Sequence, residues 1–130
     1  MDREKLNQAI REVSRDRIVA LASELIKIPS FTGEERRVAE RAAELLKEKG
    51  IQTRKLGTDE RPIILGDLNQ TATPLIALNG HLDTVPTGTH AAWKHDPFEP
   101  TLDHDHLVGR GSSDMKASCA VIIHTLEILK

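Results

Sequence analysis

The chain has 130 residues, 29% of them charged, with a formal net charge of −2. That near balance gives no electrostatic footing for nucleic acid or a membrane surface. Trp93, Phe31 and Phe98 are the only aromatic residues, too few for a platform that stacks bases. Cys119 is the only cysteine, so an internal disulfide is excluded.

The N-terminus, Met1-Asp2-Arg3-Glu4-Lys5, is charged in both signs and leads into no apolar signal region. No apolar run approaches the length of a membrane-spanning helix. The expectation is a soluble, cytoplasmic protein whose core is built from Leu, Ile, Val and Ala.

In chain order, a helix is predicted from about Leu6 to Ile28. Leu6, Ile10 and Val13 form one stripe, which Ile18, Leu21 and Leu25 continue with a small offset. Pro29 ends it. Thr32 and Glu35 have capping-box spacing and predict a second helix with Val38, Ala42 and Leu45 on its apolar face and a stop at Gly50. Ile51–Leu56 alternates as a strand, and Pro62–Gly66 is a short apolar run. Pro74–Asn79 reads as a strand buried on both faces. Helices followed by strands predict an α/β layer fold.

Residues 80–100 form a long loop carrying Pro86, Gly88, Pro97 and Pro100, and long loops are often functional. Thr101–Val108 reads as a hairpin turning near Asp103-His104-Asp105. A last helix starts near Met115, with Ile122, Leu126 and Leu129 on its apolar side.

Two segments carry the chemistry. His81 and Asp83 follow the Pro74–Asn79 run, where an open α/β sheet places its sites. Imidazole is a good zinc ligand, and a neighbouring carboxylate can fix its tautomer. Asp114 ends the turn Gly109-Arg110-Gly111-Ser112-Ser113 and leads into the last helix. Taken singly, His81 and Asp83 also fit a solvated loop, and Asp114 also fits a helix cap. The glycines make no phosphate loop or dinucleotide fingerprint, and Ser112 and Ser113 lack a nucleophile elbow.

The stretches H-L-D-T-V-P, W-K-H-D-P-F-E-P and L-V-G-R-G-S-S-D-M-K, in this order and spacing, resemble the co-catalytic zinc metallopeptidases. That family includes aminoacylases, acetylornithine deacetylase, succinyl-diaminopimelate desuccinylase and glutamate-releasing carboxypeptidases. The resemblance implies the N-terminal part of a three-layer catalytic domain, a mixed sheet flanked by helices. It implies that His81 binds zinc, that Asp83 orients His81 and that Asp114 bridges two metal ions. Zinc is the implied metal, with cobalt or manganese as substitutes. Two such cations polarise the scissile carbonyl. The implied substrate is an N-acyl amino acid or short peptide whose amide bond is hydrolysed, and the implied full-length assembly is a homodimer. Where the family has glycine after Asp-Met-Lys, this chain has Ala117, and ordinary helix is the expected outcome.

The family's paired glutamates, later acidic ligand and distant histidine match nothing in residues 1–130. The expectation is therefore an incomplete N-terminal portion that binds metal weakly and does not hydrolyse by itself. A non-catalytic remnant or interaction module is the alternative. His104 and His106 suit a solvated hairpin tip, His90 and His95 match no ligand spacing, and His124 and Cys119 suit structural positions in the last helix.

Overall fold

The computed structural model describes residues 2–68 and 76–130. Two helices stand where one was predicted: α1 at Arg3–Glu12 and α2 at Arg15–Ile26. The break falls at the small offset in the apolar stripe. Ser14 is extended there and its hydroxyl oxygen accepts from the Arg17 N–H, a cap of the kind that contributes about 1 kcal/mol. α2 buries Leu21, Ala22, Leu25 and Ile26, whereas α1 buries nothing.

α3, Arg36–Glu48, places Val38, Ala42 and Leu45 in the core as the sequence predicts. Gly50 ends it at φ 68°, a left-handed conformation that glycine adopts without strain. The Gly50 N–H reaches the Lys47 carbonyl, and the Ile51 N–H reaches that of Leu46. This paired arrangement satisfies two of the carbonyls a helix end leaves open, and buried Ile51 closes it with an apolar contact. The predicted capping box does not form. Glu35 occupies the cap position without a side-chain cap, and Thr32 points its hydroxyl elsewhere.

Two antiparallel hairpins follow. β1 (Gln52–Gly57) pairs with β2 (Pro62–Asp67), with Arg54 opposite Leu65, and this sheet packs on α3. β3 (Thr101–Asp103) pairs with β4 (His106–Val108) around the predicted turn, where His104 has φ 54°. These short sheets and the helices make an α/β arrangement.

The predicted strand at Pro74–Asn79 is a correction. Pro74 and Leu75 lie outside the described residues, and Ile76–Asn79 forms no strand and is exposed, Ile76 at 80%. A strand needs a neighbour to satisfy its backbone, and among the described residues none is paired with this segment.

α4, Lys116–Leu129, packs against α2. Its buried face is Lys116, Cys119, Ala120, Ile123 and His124; of the predicted Ile122–Leu126–Leu129 face, Leu126 packs at the edge of the core and Leu129 is exposed. Small Cys119 and Ala120 let the helices approach closely. The core joins α2, α3 and α4 through Leu25, Val38, Leu45 and Ile123. Each such side chain contributes about 1.5–3 kcal/mol by burial. Among the described residues no helix is long and apolar enough to cross a membrane.

Candidate metal centre

The segment after Pro29 turns back on the site. Ser30 is buried, and its hydroxyl donates to the Leu82 carbonyl at 2.7 Å. The Thr84 N–H donates to the Ser30 carbonyl at 2.8 Å, and Phe31 and Thr84 form a parallel bridge. Residues 82–84 are thereby fixed beside residues 30–32. From behind, the Cys119 thiol donates to the His81 carbonyl at 3.3 Å. A Cβ on Gly80 would meet that sulfur at 2.8 Å, so the backbone beside His81 rests directly on α4.

The Gly109–Asp114 turn is held just as firmly. The Arg110 N–H donates to the Pro97 carbonyl at 2.7 Å. Gly109 lies against Ile26, and Gly111, at φ 88°, lies against Thr84 and the stem of Lys116. Lys116 is fully buried, and its ammonium donates to the carbonyls of Leu25 at 3.0 Å and Ile28 at 2.7 Å. Burial pushes its pKa down to about 8. The Asp114–Met115 peptide is cis. Ala117 lies in the first turn of α4 in ordinary helix.

These supports bring His81, Asp83 and Asp114 to one open cleft of about 240 Å³. His81 Nδ1 lies 3.1 Å from Asp83 Oδ1 and 3.2 Å from the Asp83 carbonyl oxygen. Thr32 donates its hydroxyl to Asp83 Oδ2 at 2.8 Å. On the other side of the ring, His81 Nε2 lies 2.9 Å from Asp114 Oδ1. His81 is about half exposed, and Asp114 stands out into the cleft with its side chain 82% exposed. None of the other histidines lines it.

The donor chemistry fits a cation. Both ring nitrogens of His81 face carboxylate oxygens; in the tautomer that carries its proton on Nδ1, toward Asp83, the Nε2 lone pair faces Asp114. Two electron-rich atoms at that distance require a proton or a cation between them. One imidazole nitrogen and one carboxylate are ligand types that would suit zinc. Among the described residues no group of three or more His, Cys, Asp or Glu side chains is placed to hold a metal. The donor set is therefore partial.

Sequence reasoning missed Thr32, Ser30 and Lys116 as supports of the site. Thr32 was assigned to a helix cap, and the only signal for Lys116 was its place beside Asp114 and Met115. Trp93, Pro97 and Phe98 pack within the loop of residues 80–100. Pro97 is fully buried, Phe98 meets the Phe31 ring edge-on at 6.0 Å, and the Trp93 indole donates to the Thr87 carbonyl.

Residues 77–130 match the model of Peptidase family M20/M25/M40. The chain is similar to curated proteins named succinyl-diaminopimelate desuccinylase. The one from Azoarcus sp. (strain BH72) is 40% identical over 84% of this chain and 28% of its own length. The one from Halorhodospira halophila (strain DSM 244 / SL1) is 36% identical over 82% of this chain and 28% of its own. A third, from Herminiimonas arsenicoxydans, is 38% identical over 84% of this chain and 29% of its own. The chain thus spans under a third of the length of these relatives.

Proposed function

From a chain that belongs, through residues 77–130, to Peptidase family M20/M25/M40, we infer a part in metal-dependent hydrolysis of an amide bond in an N-acyl amino acid or short peptide. The relatives named as desuccinylases point to an N-succinyl amine as the first substrate to try. The observation that carries the reading is the pairing of His81 Nε2 with Asp114 Oδ1 at 2.9 Å, with Asp83 behind the imidazole.

His81 and Asp114 would hold the metal, zinc first, with cobalt or manganese as substitutes. Two divalent cations bound there would supply Lewis acidity for polarising an amide carbonyl and activating water. Asp83 keeps the His81 proton on Nδ1 and the lone pair outward. Asp114 offers two oxygens, the requirement for bridging two ions, and its charge offsets part of theirs. Thr32 neutralises one lone pair of Asp83 and limits its rotation.

A catalytic zinc is usually held by three protein ligands. The described residues bring one imidazole and one metal-facing carboxylate together, so this chain is proposed as the N-terminal portion of the catalytic domain, binding metal weakly and without turnover alone. A cytoplasmic setting and a homodimeric longer protein belong to the same reading.

The test is a zinc titration by calorimetry of the chain and three variants. His81→Ala and Asp114→Asn are expected to abolish zinc uptake, and Asp83→Asn to weaken it about 10–100-fold. Zinc bound equally well by His81→Ala and Asp114→Asn would remove the metal reading. Release of succinate from an N-succinyl amino acid by the chain alone would overturn the claim of inactivity.

A further inference from the structure

Arg110 lines the cleft that holds His81 and Asp114, and the metal reading gives it no work. Its guanidinium carbon stands 5.0 Å from the centre of the Trp93 ring, a cation–π stack. Among the described residues, the Arg110 side chain makes no hydrogen bond and no ion pair, and its Nε is buried without a partner. Other arginines with carboxylate partners, such as Arg41 and Arg17, spend their donors on ion pairs. A buried donor without an acceptor costs free energy and is uncommon in folded proteins.

The stack determines which part of the group is available. The Trp93 ring lies against the guanidinium carbon, and the donors of a guanidinium lie in its plane, around the edge. A carboxylate fits that edge through two parallel bonds, the geometry that favours arginine over lysine. The group is also pre-positioned. The Arg110 backbone is pinned to Pro97, and Gly109 beside it is seated on Ile26. Trp93 is itself fixed by its bond to the Thr87 carbonyl. An anion here would meet an oriented partner and lose little to side-chain ordering.

We propose that Arg110 is the carboxylate-recognising residue of this cleft, taking a carboxylate group of the substrate while the scissile amide lies toward His81 and Asp114. The assignment rests on the amide-hydrolase reading for the identity of the ligand. It adds where that carboxylate is read: on the Gly109–Asp114 turn, by Arg110.

The experiment follows the Arg110 Nε–H resonance of the 130-residue chain by NMR during titration with succinate. Succinamide, its uncharged counterpart, and sodium chloride at matched ionic strength are the controls. Succinate is expected to shift that resonance saturably and the controls are not. Arg110→Gln is expected to weaken succinate binding about tenfold or more. Arg110→Lys is expected to fall between, since it keeps the charge and loses the fork. An unmoved resonance, an equal response to succinamide, or undiminished binding by a folded Arg110→Gln chain overturns the proposal. If Arg110→Gln does not fold, the wild-type titration decides alone. A parallel zinc titration follows the His81 ring signals. Zinc that leaves them unchanged counts against the metal reading, and the Arg110 titration is still read independently.

Discussion

The Lys116 ammonium lies 2.7 Å from the Ile28 carbonyl oxygen and spans 88 positions of sequence. The bond fastens the start of α4, two residues past Asp114, to the chain leaving α2. Lys116 donates to the Leu25 carbonyl, which the Ile28 N–H also reaches at 3.3 Å, and to the Ile28 carbonyl just past the end of α2. Its stem meanwhile forms the floor under Gly111. One side chain thus ties the end of α2 to the base of the Gly109–Asp114 turn.

Lys116→Met keeps the length of the stem and removes the donors. The variant regains the cost of burying an ammonium, strips the Ile28 carbonyl of the Lys116 donor and leaves the Leu25 carbonyl with backbone donors alone. The second effect is expected to prevail, with a loss of about 1–3 kcal/mol in urea unfolding. Zinc affinity should fall as well, because Asp114 loses its anchor. A variant as stable as the parent would mean that water replaces the ammonium without cost.

Thr32→Val deletes the hydroxyl that donates to Asp83 and keeps the shape of the side chain. Asp83 then backs His81 with one fewer restraint. Zinc affinity is expected to drop by up to about tenfold, at the low end of what outer partners of ligands contribute. The unfolding midpoint should change little, as the bond is exposed. Calorimetry beside urea unfolding separates the two effects.

Glu127 gathers three partners: Arg17 and Lys49 at 3.1 Å and His124 Nδ1 at 3.0 Å. Burial alone would raise its carboxyl pKa, but the bonds to His124 and Lys49, with the nearby charges of Lys49 and Arg17, outweigh it and hold the group below its ordinary 4.5. A carboxylate depressed in the folded state contributes stability above the unfolded pKa, and the contribution is lost as pH falls through the folded value. Glu127→Gln is therefore expected to cost about 1–3 kcal/mol at pH 7. The gap from the parent should narrow below about pH 4. Urea midpoints at the two pH values test this, and a constant gap would contradict it.

Cys119 is buried with its thiol bonded to the His81 carbonyl, and burial pushes its pKa up to about 11. The thiolate is the reactive form. Iodoacetamide at pH 8 should modify the folded chain far more slowly than the urea-unfolded chain, as followed by intact mass. Equal rates would show that α4 opens freely beneath His81.

What could be read from the sequence was local. The α3 face at Val38, Ala42 and Leu45 and the stop at Gly50 depend on periodicity and on one glycine. The hairpin around His104 depends on turn chemistry within eight residues. The break at Ser14 was visible only as a shift in the apolar stripe, and a serine in a charged run signals a cap weakly. The face of α4 could not be selected from pattern, because Ala120, Val121, Ile122 and Ile123 are apolar on every side. Packing against α2 made the choice. The Ile76–Asn79 segment shows the reverse case: its composition favours a strand, but strand formation depends on a neighbour. At the site, family-type motifs marked His81, Asp83 and Asp114, which the fold brings together. Thr32, 51 residues from Asp83, and Lys116, 88 from Ile28, act through distances in sequence that spacing does not encode.

α1 carries a further meaning for how the molecule opens. It buries no side chain, and a helix of ten residues is too short to persist in water by itself. At its junction with α2, the Ser14 N–H donates to His124 Nε2 at 3.1 Å. The acceptor role places the imidazole proton on Nδ1, toward Glu127. Residues 2–13 thus form a fraying unit of their own, with its boundary at the Ser14–His124 bond. Proteases and solvent exchange will reach them long before the cleft at His81 and Asp114, and the packed part of the molecule can keep its order while its leading helix comes and goes.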